Sequence, residues 1–142
     1  MKARGAYLLD TSALMTLRDD EPGAQYVADL LNAAAAKRVV VYGCFMSQME
    51  LLYRVWRDEN EAAGRLALEQ CLALPLLWVE STPQLLRLAA EIKANSSLSV
   101  ADAWIAAAAR LMGATLVHKD PEFSALDQPQ SALPMKPARK VK

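Results

Sequence analysis

Apolar positions along the chain switch between two periods. Residues 6–9 (AYLL) are a short unbroken apolar run that stops at Asp10, which predicts a buried strand. Residues 12–18 read as a short helix. Pro22 follows Asp20 and Glu21 where a first helical turn begins, and Tyr26, Val27, Leu30, Leu31 and Ala34 then recur at helical spacing. Residues 39–42 (VVVY) are a β-branched run closed by Gly43 and predict a second strand. Phe45, Met49, Leu52 and Trp56 restore the helical period, which resumes over about 60–73 until Pro75 stops it. Residues 76–79 (LLWV) predict a third strand. Thr82 and Pro83 read as the N-cap and first residue of a helix reaching Asn95; Ser99 opens another that runs to Met112 and ends at Gly113. Residues 115–117 (TLV) predict a fourth strand ending near Asp120-Pro121, and a weaker fifth is expected near 131–134.

Strands separated by helices define βαβ units and therefore an α/β fold with a mostly parallel sheet. Right-handed crossovers put every strand's carboxyl end on one edge, and ligands of such sheets bind just beyond it. The residues that end strands thus carry the most information. The chain shows no internal repeat, and 142 residues suit one domain. That domain is expected over 1–128. Residues 129–142, with Pro129, Pro134 and Pro137, are expected to be a loosely attached Pro/Lys-rich tail.

Composition narrows the class. Apolar residues at 54% and charged residues at 23% exclude wholesale disorder. The two cysteines, Cys44 and Cys71, sit in apolar runs, which excludes a disulfide framework and favours a reducing compartment. With a single histidine they also exclude a Cys-based zinc site. No apolar run approaches the ~18 residues of a membrane span. Asp10 cuts short the apolar segment behind Lys2 and Arg4, which argues against a signal peptide, so a cytoplasmic protein with no membrane partner is expected. The net charge of +0 hides an asymmetry: without the four basic residues of 136–142, the body holds 12 basic against 16 acidic residues, a net of −4. The tail either contacts RNA phosphates or is a solvated terminus.

Four carboxylates keep unusual company. Asp10 follows an apolar strand, Glu50 interrupts an apolar helix face, Asp102 is the only charge between Lys93 and Arg110, and Asp120 ends the fourth strand. Each has a bland explanation: Asp10 as a helix cap, Glu50 paired with Arg54 at i+4, Asp102 in a capping box with Ser99, and Asp120 as a turn residue. Yet strand ends and helix starts place all four at the same sheet edge. Several buried carboxylates without a basic neighbour need a proton or a cation, and hard oxygen donors suit Mg²⁺ or Mn²⁺. Nearby, Thr11 and Ser12 either hold a metal-bound water or an acidic neighbour, or merely cap. His118 is either a phosphate contact or general acid, or a loop histidine without a role. Lys119 either neutralises a phosphate or pairs with Glu122. Trp56, Trp78 and Trp104 read as core or interface residues.

Residues 8–14 (LLDTSAL), Glu50 within MELLYR, 98–109 (LSVADAWIAAAA) and 115–123 (TLVHKDPEF) resemble the PIN domain, in particular VapC-type toxins of prokaryotic toxin–antitoxin pairs. The resemblance covers about residues 6 to 126. It implies a three-layer α/β/α sandwich around a four- to five-stranded, mostly parallel sheet. It implies a Mg²⁺- or Mn²⁺-dependent endoribonuclease with an acidic catalytic and metal site at Asp10, Glu50, Asp102 and Asp120. It also implies a homodimer and a cognate antitoxin whose segment occludes the acidic pocket. The family commonly places Ser or Thr two residues before the fourth acid, where this chain has His118. A haloacid-dehalogenase reading needs a second Asp two residues after the first, where Ser12 stands.

On that reading, metal held by Asp10 and Asp102, with Asp120 and Glu50 directly or through water, lowers the pKa of a coordinated water for in-line attack on the phosphodiester. The products are then a 5′-phosphate and a 3′-hydroxyl. The competing function is a catalytically inert binding or scaffold module of the same fold. A receiver-like signalling domain fails because the second and third strands end in Gly43 and Glu80 rather than in a phospho-accepting Asp. The stretch 100–109, with Trp104 and Ile105, is more apolar than one buried face requires, so part of it is expected at a dimer interface.

Overall fold

The computed structural model describes residues 5–135. The elements run β1 (Gly5–Leu9), α1 (Thr11–Arg18), α2 (Ala24–Ala35), β2 (Val39–Cys44), α3 (Phe45–Asp58), α4 (Glu61–Leu72), β3 (Leu77–Val79), α5 (Pro83–Ala94), α6 (Val100–Leu111), β4 (Thr115–His118), a 3-10 turn (Pro121–Ala125) and β5 (Gln130–Ala132). The five strands pair in parallel in the order β3-β2-β1-β4-β5. The chain steps outward from β1 through β2 to β3, then returns past β1 to lay down β4 and β5. Its direction therefore reverses between β1 and β4, and that crevice is the topological switch point of the sheet.

Reversal also explains the layers. Right-handed crossovers running in opposite directions place their helices on opposite faces. The period-two alternation of the strands feeds both. Leu8 and Leu116 face a core built with Leu85, Ile105 and Phe123, on the side of α5 and α6. Leu9, Val41 and Val117 face the other core, with Leu30, Leu51 and Val55 from α2 and α3. The sandwich is thus α/β/α, as the resemblance implies.

Two expectations change in detail. First, the chain is not loosely attached immediately after Gln128. β5 pairs with β4 from Leu116↔Gln130 to His118↔Ala132, and Leu133 is buried with its N–H donating to the His118 carbonyl at 2.6 Å. Pro129 stands before this strand rather than in it, so no ladder donor is lost. The basic cluster at 136–142 lies outside the described residues. Second, Ile105 belongs to the core and not to an interface. Ala103 and residues 105–109 are at most 2% exposed, because the run of alanines lets α6 lie close to both α5 and the sheet. Of the stretch 100–109, Val100 faces outward and Trp104 is half-buried, its ring edge-on to Phe45 at 5.1 Å. The helical spacing of Phe45, Met49, Leu52 and Trp56 does mark α3, but the buried face of that helix is another one. Ser47, Leu51 and Val55 are buried, while Met49 and Trp56 are 58% and 45% exposed. Among the described residues, no helix is long and apolar enough to cross a membrane.

Gly64 marks where α3 and α4 come closest. A Cβ there would sit 2.8 Å from the Leu52 carbonyl oxygen and 3.1 Å from the Trp56 Cβ. Alanine improves helix propensity by about 1 kcal/mol, but a clash with rigid backbone costs about 1–3 kcal/mol. Gly64→Ala is therefore expected to destabilise the fold by a net of about 0–2 kcal/mol, read as a lower urea midpoint. A stabilised variant would show that the two helices separate freely.

Candidate active site

Asp10 sits at the switch point. Its backbone N–H donates to the Val117 carbonyl of β4 at 3.1 Å, and its carboxylate caps α1 by accepting the Ala13 N–H at 2.8 Å. The Ser12 hydroxyl lies 2.7 and 2.8 Å from the two Asp10 oxygens and in turn accepts the Lys119 N–H at 2.9 Å. Capping and a place in the cleft are therefore both features of this residue. It is 3% exposed. Burial pushes its pKa from the ordinary 3.8 up to about 7, against the lowering effect of the Ser12 and Ala13 bonds; the charges of Asp102 and Asp120 raise it further.

Glu50 lies in the second turn of α3 and accepts the Thr11 hydroxyl proton at 2.7 Å. The Ser47 hydroxyl is 2.9 Å from Thr11 Oγ1. Thr11 has one proton and the carboxylate takes it, so Ser47 donates to Thr11. Ser47 is fully buried and does not stand out in the sequence; only its distance from Glu50 of one turn in the same helix hints at it. Among the described residues, no salt bridge joins Glu50 to Arg54.

Asp102 occupies the first turn of α6, where its N–H donates to the capping Ser99 Oγ at 3.1 Å. Its pKa is raised from 3.8 to about 6, by burial first, then by the charges of Asp120 and Glu50 and a hydrogen bond with Asp120; the Ser99 hydroxyl opposes these. Asp120 caps the 3-10 turn by accepting the Glu122 N–H at 2.9 Å, and its own N–H donates to His118 Nδ1 at 3.2 Å.

These four acids, with Thr11, Ser12 and Lys119, line one cleft of about 590 Å³. Among the described residues, seven acidic residues contribute to it against two cations, Arg54 and Lys119. Lys119 does not pair with Glu122; its Nζ lies 3.3 Å from Glu21. Glu122, absent from the sequence-based candidates, instead joins Asp102 and Asp120: each offers an oxygen within 4.8 Å of the others. The signal was local, since a turn opened by Pro121 carries residues 120 and 122 toward one side. Asp10 and Glu50 line the same cleft outside this tightest group. An all-oxygen donor set with two raised carboxyl pKa values fits a hard divalent cation such as Mg²⁺ or Mn²⁺.

His118 is neither in a loop nor in the lining of the acidic cleft. It ends β4, is 2% exposed, and places Nε2 2.9 Å from Gln130 Oε1. With Nδ1 accepting from the Asp120 N–H and Nε2 beside the Gln130 oxygen, both ring nitrogens are occupied. It positions Asp120.

Comparisons agree with this architecture. The PIN domain matches residues 7–129, and the chain belongs to that family. A comparison with curated protein sequences gives no match. Solved structures share the fold at low identity. One is VapBC2 from Rickettsia felis bound to a promoter DNA fragment, at 18% identity and a TM-score of 0.74, covering 91% of this chain and 99% of that one. Another is DNA-bound VapBC from Salmonella typhimurium, at 17% and 0.71, covering 92% and 98%. A third is Mycobacterium tuberculosis VapC20, described as a sarcin–ricin loop cleaving toxin, at 21% and 0.63, covering 84% and 93%.

The raised carboxyl pKa values set the pH dependence of stability. The folded chain holds protons on Asp10 and Asp102 that the unfolded chain has already released. Stability therefore falls as pH rises from about 4 through about 7. The loss is of the order of a few kcal/mol, mostly from the deeply buried Asp10. In EDTA, the urea midpoint is expected to drop from pH 5 to pH 8. Asp10→Asn keeps the helix cap and is expected to flatten that slope. An equally steep slope in the variant would remove Asp10 as its source.

Proposed function

We propose that this chain is a Mg²⁺- or Mn²⁺-dependent endoribonuclease acting in the cytoplasm as the toxin of a toxin–antitoxin pair. The carrying observation is the convergence of Asp10, Glu50, Asp102 and Asp120 on one cleft at the switch point, where acids outnumber cations among the described residues. PIN membership supports the reading, as do similar folds described as VapBC complexes and as an RNA-loop cleaving toxin.

Asp102, Asp120 and Asp10 would hold the cation, with Glu50 alongside. The cation supplies a lowered pKa for a coordinated water and charge screening for the phosphodiester. Ser12 fixes the Asp10 carboxylate, and the Ser47–Thr11 relay fixes Glu50. Asp10 and Asp102, whose carboxyl groups hold protons above the ordinary range, would hold the cation as carboxylates. The acidic cleft attracts a basic side chain of the antitoxin by focusing its field. A homodimer forms through the outward apolar surface of α5 and α6, where Leu86 and Val100 are more than half exposed beside Trp104.

Purified protein is expected to cut a panel of structured RNAs with Mg²⁺ or Mn²⁺, to stop in EDTA, and to leave 5′-phosphate and 3′-hydroxyl ends. Asp10→Asn is expected to lose about 100-fold or more in rate. Absence of both cutting and Mn²⁺ binding would leave the inert-module reading in its place. Light scattering at micromolar concentration should show a dimer that Val100→Asp converts to a monomer; a monomeric parent protein refutes the interface.

A further inference from the structure

An acidic cleft repels the polyanion it is meant to cut. A cation in its lining helps to offset that repulsion, and among the described residues two line it. Lys119 is engaged by Glu21, and its side chain is 9% exposed. Arg54 remains. It follows Glu50 by one turn of α3, about 6 Å along the helix axis, on the cleft face. Arg18, Arg57 and Arg65 each form a salt bridge, whereas Arg54 forms none among the described residues.

The adjoining flank of α3 carries rings rather than acids. Tyr53 and Trp56 are 42% and 45% exposed. The Arg57 guanidinium lies over the Tyr53 ring, 5.5 Å from its centroid. Its contact with Asp58, at 3.6 Å between exposed groups, ties it down little. Trp56 is braced at its base by the close approach of Gly64. A face made for an apolar partner helix would be continuous, but here a guanidinium covers its central ring and a second arginine borders it. Alternating cations and planar groups match a chain of phosphates and bases. In an A-form duplex the bases are stacked away from such a platform, so it favours unpaired nucleotides.

We propose that α3 is the substrate ridge of the cleft: Arg54 clamps a phosphate beside the scissile one, and the Tyr53–Arg57 pair stacks an unpaired base. The proposal rests on the nuclease reading above and adds the residues that position its substrate.

The test uses full-length protein and fluorescein-labelled, mixed-sequence RNA, single-stranded and duplex. Binding is followed by anisotropy with Ca²⁺ in place of Mg²⁺, and cleavage by steady-state kinetics with Mg²⁺. Arg54→Ala is expected to raise KM about tenfold with little change in kcat, and to reduce the salt slope of binding by about 0.7. Arg54→Lys is expected to restore most of the affinity. Tyr53→Ala is expected to weaken single-strand binding about tenfold, with duplex binding and salt slope unchanged. Mn²⁺ affinity should not fall and the thermal midpoint should stay at the parental value in all three, which shows the fold and acidic site intact. If the parent cuts RNA and these variants cut with parental KM, the ridge is wrong and the nuclease reading stands. If the variants keep RNA affinity but lose self-association or a protein partner, the ridge is a protein-docking face and the proposal falls. If the parent neither binds nor cuts RNA while binding Mn²⁺, both the ridge and the RNA substrate fall together.

Discussion

Three elements meet on the Asp10 carboxylate and its neighbours. The backbone of Asp10 continues the β1–β4 ladder, its carboxylate starts α1, and Ser12 passes that anchor on to the backbone of Lys119 beyond β4. The crevice between β1 and β4 is held at its mouth by this short chain of hydrogen bonds. The same residue is buried with few neutralising charges, so it binds a proton more tightly than an ordinary carboxyl group does. The interaction that closes the fold at the switch point is therefore also the source of its electrostatic tension.

Local satisfaction and net charge are separate matters in this cleft. The carboxylates of Asp10, Glu50, Asp102 and Asp120 each have a partner from the nearest helix start or turn. Those partners are hydroxyls and backbone N–H groups, which orient a carboxylate without cancelling its charge. Lys119 is directed to Glu21 instead. Such an arrangement ties stability to charge: whatever neutralises Asp10 and Asp102 also stabilises the fold.

Helix α3 shows how one element serves three surroundings. Ser47, Leu51 and Val55 face inward, Glu50 and Arg54 face the cleft, and Met49, Tyr53 and Trp56 face outward. Two stripes at helical spacing coexist along it, one containing Leu51 and Val55 and the other Met49 and Trp56. Periodicity identifies the helix from either stripe, but it does not say which stripe is buried. That depends on where α1 and α4 lie, and the close contact at Gly64 sets the latter.

The amino-acid sequence alone determined the alternation of strands and helices, the strand ends at Asp10 and Asp120, the caps at Thr82 and Ser99, and the four acids standing in apolar company. All of these are local: runs, spacings and neighbours within a few residues set backbone preference and the cost of burying a charge. Only the tertiary structure decided the strand order, the pairing of β5, the burial of Ile105, the turn of His118 away from the cleft and the joining of Glu122 to Asp102. The Ser12–Lys119 bond spans 107 residues and the Glu21–Lys119 pair 98. Contacts over such separations follow from the direction in which successive crossovers step across the sheet. That direction is set by how whole layers pack together, and no short segment of the chain encodes it.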